Sequence, residues 1–241
     1  MHDGTVMTEA RDGLRTTRDA RFDRYARAEL GRIRAVRAQT AADFDIVAGI
    51  RASGFSRVVT DPSKQMAWVD EVDTQPGVFS LIGYDGCDRP IATLRVQDER
   101  RTPLELRKFV PLDDLLRPSD RPVAQFARLS VVKSPQAVDA MFALFKAAWL
   151  WCRAEDLQTI LIATPSWSKP VYDFLLCEHL GPRGEFSHHY AGGARHVVMK
   201  LPVQRAETIW RSGQHPLCGA FLDTQHPGLA LKPLHTSPDA F

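Results

Sequence analysis

The 241-residue chain carries 31 Lys and Arg against 29 Asp and Glu; 44% of it is apolar, with 12 Phe and 5 Trp available for a core. A net charge of +2 provides no strong field for nucleic acid. No run approaches the roughly 20 apolar residues that span a bilayer, and the charged N-terminus lacks the apolar stretch of a secretory signal, so a cytoplasmic protein is expected.

In chain order, residues 6–30 predict a helix, with arginines at 11, 15, 18, 21, 24 and 27 set among Leu14, Phe22, Tyr25 and Leu30. RIRAVRAQT (32–40) predicts a strand. Thr40 stands as N-cap of AADFDIVAGIRASGF, where Phe44, Val47, Ile50 and Phe55 recur at helical spacing. A polar loop runs from Ser56 to about Gly77. VFSLIGYDGCDRPIATLRVQ then predicts a β-hairpin, two alternating runs around Asp85-Gly86-Cys87-Asp88. LRKFVPLDDLLR predicts a short helix.

QFARLSVVKSPQ (125–136) reads as a buried strand, 123–132, running into a helix start. Strict alternation puts Phe126, Arg128, Ser130 and Val132 on one face and Gln125, Ala127, Leu129 and Val131 on the other. Ser134-Pro135 reads as N-cap and first residue of a helix that ends near Ala154. Phe142, Phe145, Trp149 and Trp151 on that helix are core candidates. TILIAT predicts a strand, KPVYDFLLCEHL a short helix and ARHVVMKLP a strand. After Arg211 the Pro-, Gly- and His-rich chain predicts a lid, a packed arm or a loose tail.

This order predicts an α/β (α+β) fold: a mixed, mostly antiparallel sheet with helices on both faces. The expected organisation is a basic helical segment over 1–30, one domain over 31–212 and an arm, lid or tail over 213–241. Regular βαβ alternation and a GxGxxG motif are both missing, which sets the dinucleotide-binding folds aside. The element order suggests the acyl-CoA N-acyltransferase (GNAT) architecture.

Chemistry-bearing patterns are few. Cys87, Cys152, Cys177 and Cys218 are widely spaced and read as reduced thiols. His188 and His189 lack metal-ligand spacing, so no metal is expected, although His189 could accept a proton near neutral pH. No GxSxG context supports a serine nucleophile. Four other patterns occur in order: IRASGF holds Arg51 and Phe55, WVDEVDTQ holds Asp70 and Asp73, PIATLRV closes on Arg95, and QFARLSV holds Arg128.

Over roughly residues 30–185 this arrangement resembles the acyl-homoserine-lactone synthases and the long-chain N-acyl amino acid synthases. The resemblance implies an acyl thioester on acyl carrier protein as donor, a small-molecule amine or amino acid as acceptor, and an amide product. Acyl-coenzyme A is the alternative cosubstrate, and no resident cofactor is implied. By the resemblance, Arg128 and Tyr172 are catalytic candidates, Tyr172 as proton donor to the leaving thiolate. Arg51, Phe55, Asp70, Asp73, Arg95, Phe126 and Ser130 are substrate-binding candidates. Leu129, Val131 and Ser134 would meet the phosphopantetheine, through a strand edge splayed from its neighbour and a helix start suited to phosphate.

Plainer roles stand beside these: ion pairing for the three arginines, a loop clamp for Asp70 and Asp73, packing for Tyr172 and capping for Ser134. The basic N-terminal segment is either a dock for the acidic carrier protein or a solvated helix face. The chain departs from the family pattern at Gln125, where a glutamate is usual, at Ala127, where a serine is usual, and at Trp68, where the lactone synthases have an acid. Gln125 cannot take a proton, which leaves the general base unnamed. Two further readings remain: a coenzyme-A-dependent N-acetyltransferase, and a catalytically silent acyl- or signal-binding module. VVKSPQAV lacks the glycines that wrap a pyrophosphate, which favours the carrier-bound donor.

Overall fold

A computed structural model describes residues 20–55, 68–188 and 193–231. Of the helix expected over 6–30, the described part is α1 (Ala20–Ala26), which gives way to a 3-10 turn at Leu30–Arg32. Residues 6–19 of that segment, and His189, lie outside the described residues.

The described residues form eight strands: β1 (Arg34–Arg37), β2 (Val78–Tyr84), β3 (Pro90–Asp98), β4 (Val123–Val131), β5 (Thr159–Pro165), β6 (Glu178–His179), β7 (Glu185–His188) and β8 (Ala194–Pro202). They make one sheet in the order β1-β2-β3-β4-β5-β8-β6, with β7 also on β8. Only β4 and β5 run parallel; the other neighbours are antiparallel. The expected mixed, mostly antiparallel sheet is therefore present. β6 and β7 are new, at two and four residues too short for an alternation pattern to register.

Local chemistry explains the boundaries. The hairpin closes because the Asp85 carboxylate accepts the Cys87 and Arg89 N–H groups at 2.9 and 3.0 Å, with Asp88 at φ +55°. Helix α2 (Ala41–Phe55) starts at a reciprocal cap: Thr40 Oγ1 accepts the Asp43 N–H at 3.2 Å, and Asp43 accepts the Thr40 N–H at 2.9 Å. In the loop that follows, Asp70 caps a 3-10 turn at Glu71–Thr74. The segment expected as one short helix before β4 is a 3-10 turn at Glu105–Lys108 and a single helical turn, α3 (Leu112–Leu115).

Helices α2 and α4 (Ala137–Ala154) cover opposite faces of the central strands. Phe79 and Leu81 of β2 join the α4 core; Ile82 packs with Val47 and Ile50 of α2. The core candidates Phe142, Phe145, Trp149 and Trp151 are all buried. Trp149 is fully enclosed with Nε1–H on the Val203 carbonyl at 3.3 Å; truncating such a residue costs about 3–5 kcal/mol.

α4 begins two residues later than expected. Ser134 Oγ accepts the Gln136 N–H at 3.0 Å and the Ser134 carbonyl accepts the Ala137 N–H at 3.2 Å, so Ser134-Pro135 forms a lead-in turn ahead of the regular helix. Helices α5 (Lys169–Phe174) and α6 (Ala206–Ser212) follow, the latter unexpected. Residues 213–231 pack onto α4: Leu217, Phe221 and Leu229 are buried, and Lys146 Nζ donates to the Ala220 and Thr224 carbonyls at 2.6 and 2.8 Å. No described helix is long and apolar enough to cross a membrane.

Candidate functional site

The central feature is a fork between parallel neighbours. The β4–β5 ladder ends at Phe126–Ile162, while β4 continues to Val131 and β5 to Pro165. Beyond that point the facing edges present backbone groups to the opening. The opening holds a cavity of about 340 Å³, at the small end of the roughly 300–1,000 Å³ typical of ligand sites. Phe55, Trp68, Leu94, Phe126, Met141 and Phe145 give it apolar walls, and its charged lining is Glu105 and Arg128. Phe55 and Trp68 stack at 6.2 Å and 9°, and Trp167 lies at the wall with 58% of its surface exposed.

At the fork β4 bulges. Thr93 pairs with Ser130 and Arg95 with Ala127, so both Arg128 and Leu129 stand against Leu94. Arg128 takes φ +55°, a left-handed conformation that costs a non-glycine residue roughly 1–2 kcal/mol. The bulge breaks the expected two-residue period. Phe126 and Val131 share the α4 face with their partners Val96 and Ala92, whereas Gln125, Ala127 and Ser130 share the α2 face with Gln97, Arg95 and Thr93. The expected grouping of Phe126, Arg128 and Ser130 on one face is thus corrected, because one inserted residue inverts the alternation beyond it.

Behind the cavity wall, three arginines interlock with three carboxylates. Arg51 grips Asp73 with two bonds of 2.8 and 2.9 Å, and also donates to Ser80 Oγ and the Trp68 carbonyl. Arg95 bridges Asp70 at 2.8 Å, Asp73 at 3.4 Å and Glu105. Arg128 Nη2 donates to Asp70 at 3.0 Å and lies 3.5 Å from Glu105. Matched formal charges and forked bonds make this much buried charge tolerable.

Burial pushes the Asp73 carboxyl up, but the Arg51 bonds and charge, then Arg95 and the Asp70 N–H, outweigh it and hold it at about 2. Glu105 follows the same pattern: burial raises it, and Arg95 and Arg128 bring it below the ordinary range. Arg128 is lowered by burial and then by the Arg95 charge, with Glu105 and Asp70 offsetting part. Arg128 meets the acidic loop through Asp70, while Arg51 holds Asp73 and Arg95 bridges both acids.

Neighbours fix this wall in place. Gln125, 2% exposed, accepts the Leu106 N–H at 3.0 Å and so holds the turn carrying Glu105. Ser130 Oγ donates to the Ile50 carbonyl at 3.0 Å, and Gly54 approaches so closely that a β-carbon there would stand 1.9 Å from that oxygen. Across the cavity, Tyr172 is buried; burial pushes its phenol well above the ordinary value, Cys177 adds to this, and a hydrogen bond with Thr164 offsets part. His196 lies opposite Pro165 in the β5–β8 ladder, with Nδ1 2.8 Å from the Ala194 carbonyl.

Of the candidate site residues named from the sequence, Phe55, Phe126, Arg128, Leu129 and Tyr172 line the cavity; Trp68, Gln125, Ala127, Phe145 and His188, singled out there for other reasons, line it too. Arg51, Asp70, Asp73 and Arg95 stand behind it as the ion-pair frame. Ser130, Val131 and Ser134 are not among its lining residues. Sequence reasoning missed Glu105, Thr164 and His196, which come from separate turns and strands and share no local motif. Among the described residues no cluster of His, Cys, Asp or Glu is arranged to hold a metal.

No family model and no curated protein matches the chain. Solved structures do. FeeM, an N-acyl amino acid synthase from uncultured soil microbes, superimposes with a TM-score of 0.60 at 12% identity, over 76% of this chain and 97% of that one. The AHL synthase LasI gives 0.51 at 13% identity, over 72% and 92%. BjaI, a CoA-dependent acyl-homoserine lactone synthase with SAM and isopentyl-CoA, gives 0.50 at 15%, over 76% and 90%. The likeness is one of fold: the chain has the acyl-CoA N-acyltransferase fold expected from its element order.

Proposed function

We propose that this chain is an enzyme, an N-acyltransferase that moves a medium or long acyl chain from the thioester of acyl carrier protein to the amine of an amino acid or derivative. The observation that carries this reading is the β4–β5 fork, which opens an apolar cavity beside the charged bulge at Arg128. A pantetheine arm is amide-rich and extended, so an open strand edge is its natural complement. The apolar walls suit an acyl chain, and Arg128 suits an acceptor carboxylate.

Thioesters are already activated, so positioning and charge stabilisation supply most of the catalysis. The amine attacks the thioester carbon in a ternary complex, the C–N bond forms and the C–S bond breaks. Tyr172, which keeps its proton at neutral pH, gives it to the departing sulfur. The Ser134 turn supports a carrier-bound donor: Ser134 already occupies the Gln136 and Ala137 N–H groups, so fewer donors remain for a pyrophosphate. The Leu129 and Val131 contribution is that of backbone on the open edge. This donor and acceptor belong to the cytoplasm.

Purified protein should release thiol and form an N-acyl amino acid, seen by mass spectrometry, when given acyl-carrier thioesters and a panel of amino acids. Turnover with acetyl-coenzyme A alone would replace this reading with an N-acetyltransferase. Binding without turnover of either donor would leave a silent acyl-binding module.

A further inference from the structure

The acyl-transfer chemistry needs a proton acceptor. An amino acid presents an ammonium group near neutral pH, and two protons leave that nitrogen on the way to the amide. One ends on the departing sulfur; the other must be taken up by an acceptor at the site. Gln125 has no proton affinity to offer. Glu105 lines the cavity, but Arg95 and Arg128 engage its two oxygens and hold its carboxyl low. Tyr172 is a donor at this pH.

We infer that His196 is the general base for the acceptor amine. The inference rests on the acyl-transfer reading above. His196 is 7% exposed and its ring lines the same cavity as Arg128 and Tyr172. Nδ1 donates to the Ala194 carbonyl at 2.8 Å, which fixes the neutral tautomer with its lone pair on Nε2. Among the described residues Nε2 takes no hydrogen bond, and Phe186 stacks on the ring at 5.4 Å and 25°. The ring therefore has a set orientation and one open acceptor. Nε2 takes a proton from the ammonium, the freed lone pair attacks the thioester carbon, and His196 later returns its proton to water. The nitrogen's second proton replaces the one that Tyr172 gives to sulfur.

The titratable and charged groups around the ring are His188 of β7, with ring centroids 5.1 Å apart, and Glu105, Arg128 and Tyr172 on the cavity walls. Burial lowers the His196 imidazole below its ordinary value and the Ala194 carbonyl offsets part, so the ring is neutral at pH 7.

Two measurements test this. His196→Gln keeps a polar side chain and loses proton affinity. Its kcat should fall roughly 10²–10⁴-fold with KM little changed, and the acid limb of the wild-type pH profile, set by an imidazole that burial holds below its ordinary value, should disappear. A variant within threefold of wild type, or one that keeps that limb, overturns the inference. Nitrogen-15 NMR of the histidine-labelled protein reads the tautomer without any turnover. A neutral ring protonated on Nδ1 at pH 7 supports the base, and a ring protonated on Nε2 rules it out. If the wild type forms no amide, the acyl-transfer reading fails, and the NMR result still decides whether His196 has the open acceptor assigned to it.

Discussion

Arg128 and Asp70, 58 residues apart, meet with Nη2 3.0 Å from Oδ2, and this contact joins the β4 bulge to the loop before the hairpin. It sets the only arginine of the frame that lines the cavity, among the described residues. Arg128→Met should cut kcat/KM for an amino-acid acceptor by roughly 10- to 100-fold, the value of a charge-assisted bond of about 1.5–3 kcal/mol, and leave the fold intact. Arg128→Gly should lose as much activity yet melt higher than Arg128→Met, because glycine takes φ +55° without strain. Equal melting temperatures for the two variants would contradict the bulge.

Asp73 is the most deeply buried carboxylate of the ion-pair frame, 2% exposed and bound by Arg51, Arg95 and Ser80. Asp73→Asn leaves the Arg51 charge buried without its partner and should destabilise the protein by about 3–5 kcal/mol in denaturant melts. Its carboxyl sits at about 2 in the folded protein, below its ordinary 3.8, so it contributes stability above pH 3.8 that is lost as pH falls toward 2. The lost amount is about 2 kcal/mol. The acid slope of stability between those values should flatten in Asp73→Asn.

How far the chain could be read in advance follows from how local each signal is. The hairpin, α2 and the long α4 were legible because turn chemistry, a cap and periodicity lie within a few residues of one another. Ion pairing for the arginines, and a contact of Arg128 with the loop of Asp70 and Asp73, were legible as chemistry, since buried guanidinium groups need carboxylates, but which acid holds Arg51 and Arg95 was not. Glu105 was not, because nothing in ELRK marks it as the third acid; the Gln125 bond to Leu106 puts it there. The bulge was invisible for a different reason. Arg128 is no glycine, so its positive φ leaves no trace in composition, and strict alternation gave the wrong face for Ser130. His196 reads as one more strand residue in ARHVVMKLP until β5 and β7 bring it to the cavity.

Gly54 lets α2 settle on the bulge. Gly54→Ala would put a β-carbon 1.9 Å from Ser130 Oγ and 3.2 Å from its β-carbon, an overpacking that should cost about 1–3 kcal/mol. Ser130→Ala removes the nearer atom, so the two substitutions should be non-additive, with Gly54→Ala costing less in the Ser130→Ala background. Additive costs in a double-mutant cycle would mean that α2 does not rest on Ser130.

Lys146, 2% exposed in the middle of α4, ties residues 213–231 to the helix through the Ala220 and Thr224 carbonyls and His226 Nδ1 at 2.9 Å. Lys146→Met fills a similar volume and leaves those acceptors unmet, at a cost of about 1–3 kcal/mol. Limited proteolysis should then cut within 213–231 before the rest of the chain, while wild type resists there.

Tyr172 separates the acid from the base. Its burial keeps the phenol protonated well beyond its ordinary range, so wild-type activity should not fall near pH 10 through loss of this proton. Tyr172→Phe removes one hydroxyl and its bond with Thr164, for about 1 kcal/mol of stability. Its kcat should drop about 10²-fold, the low end for general acids, because a thiolate departs with modest help. The drop should shrink when the donor carries a more acidic thiol, whose leaving group needs no proton. A Tyr172→Phe defect of the same size for both donors would place the tyrosine in packing and return the leaving-group proton to solvent.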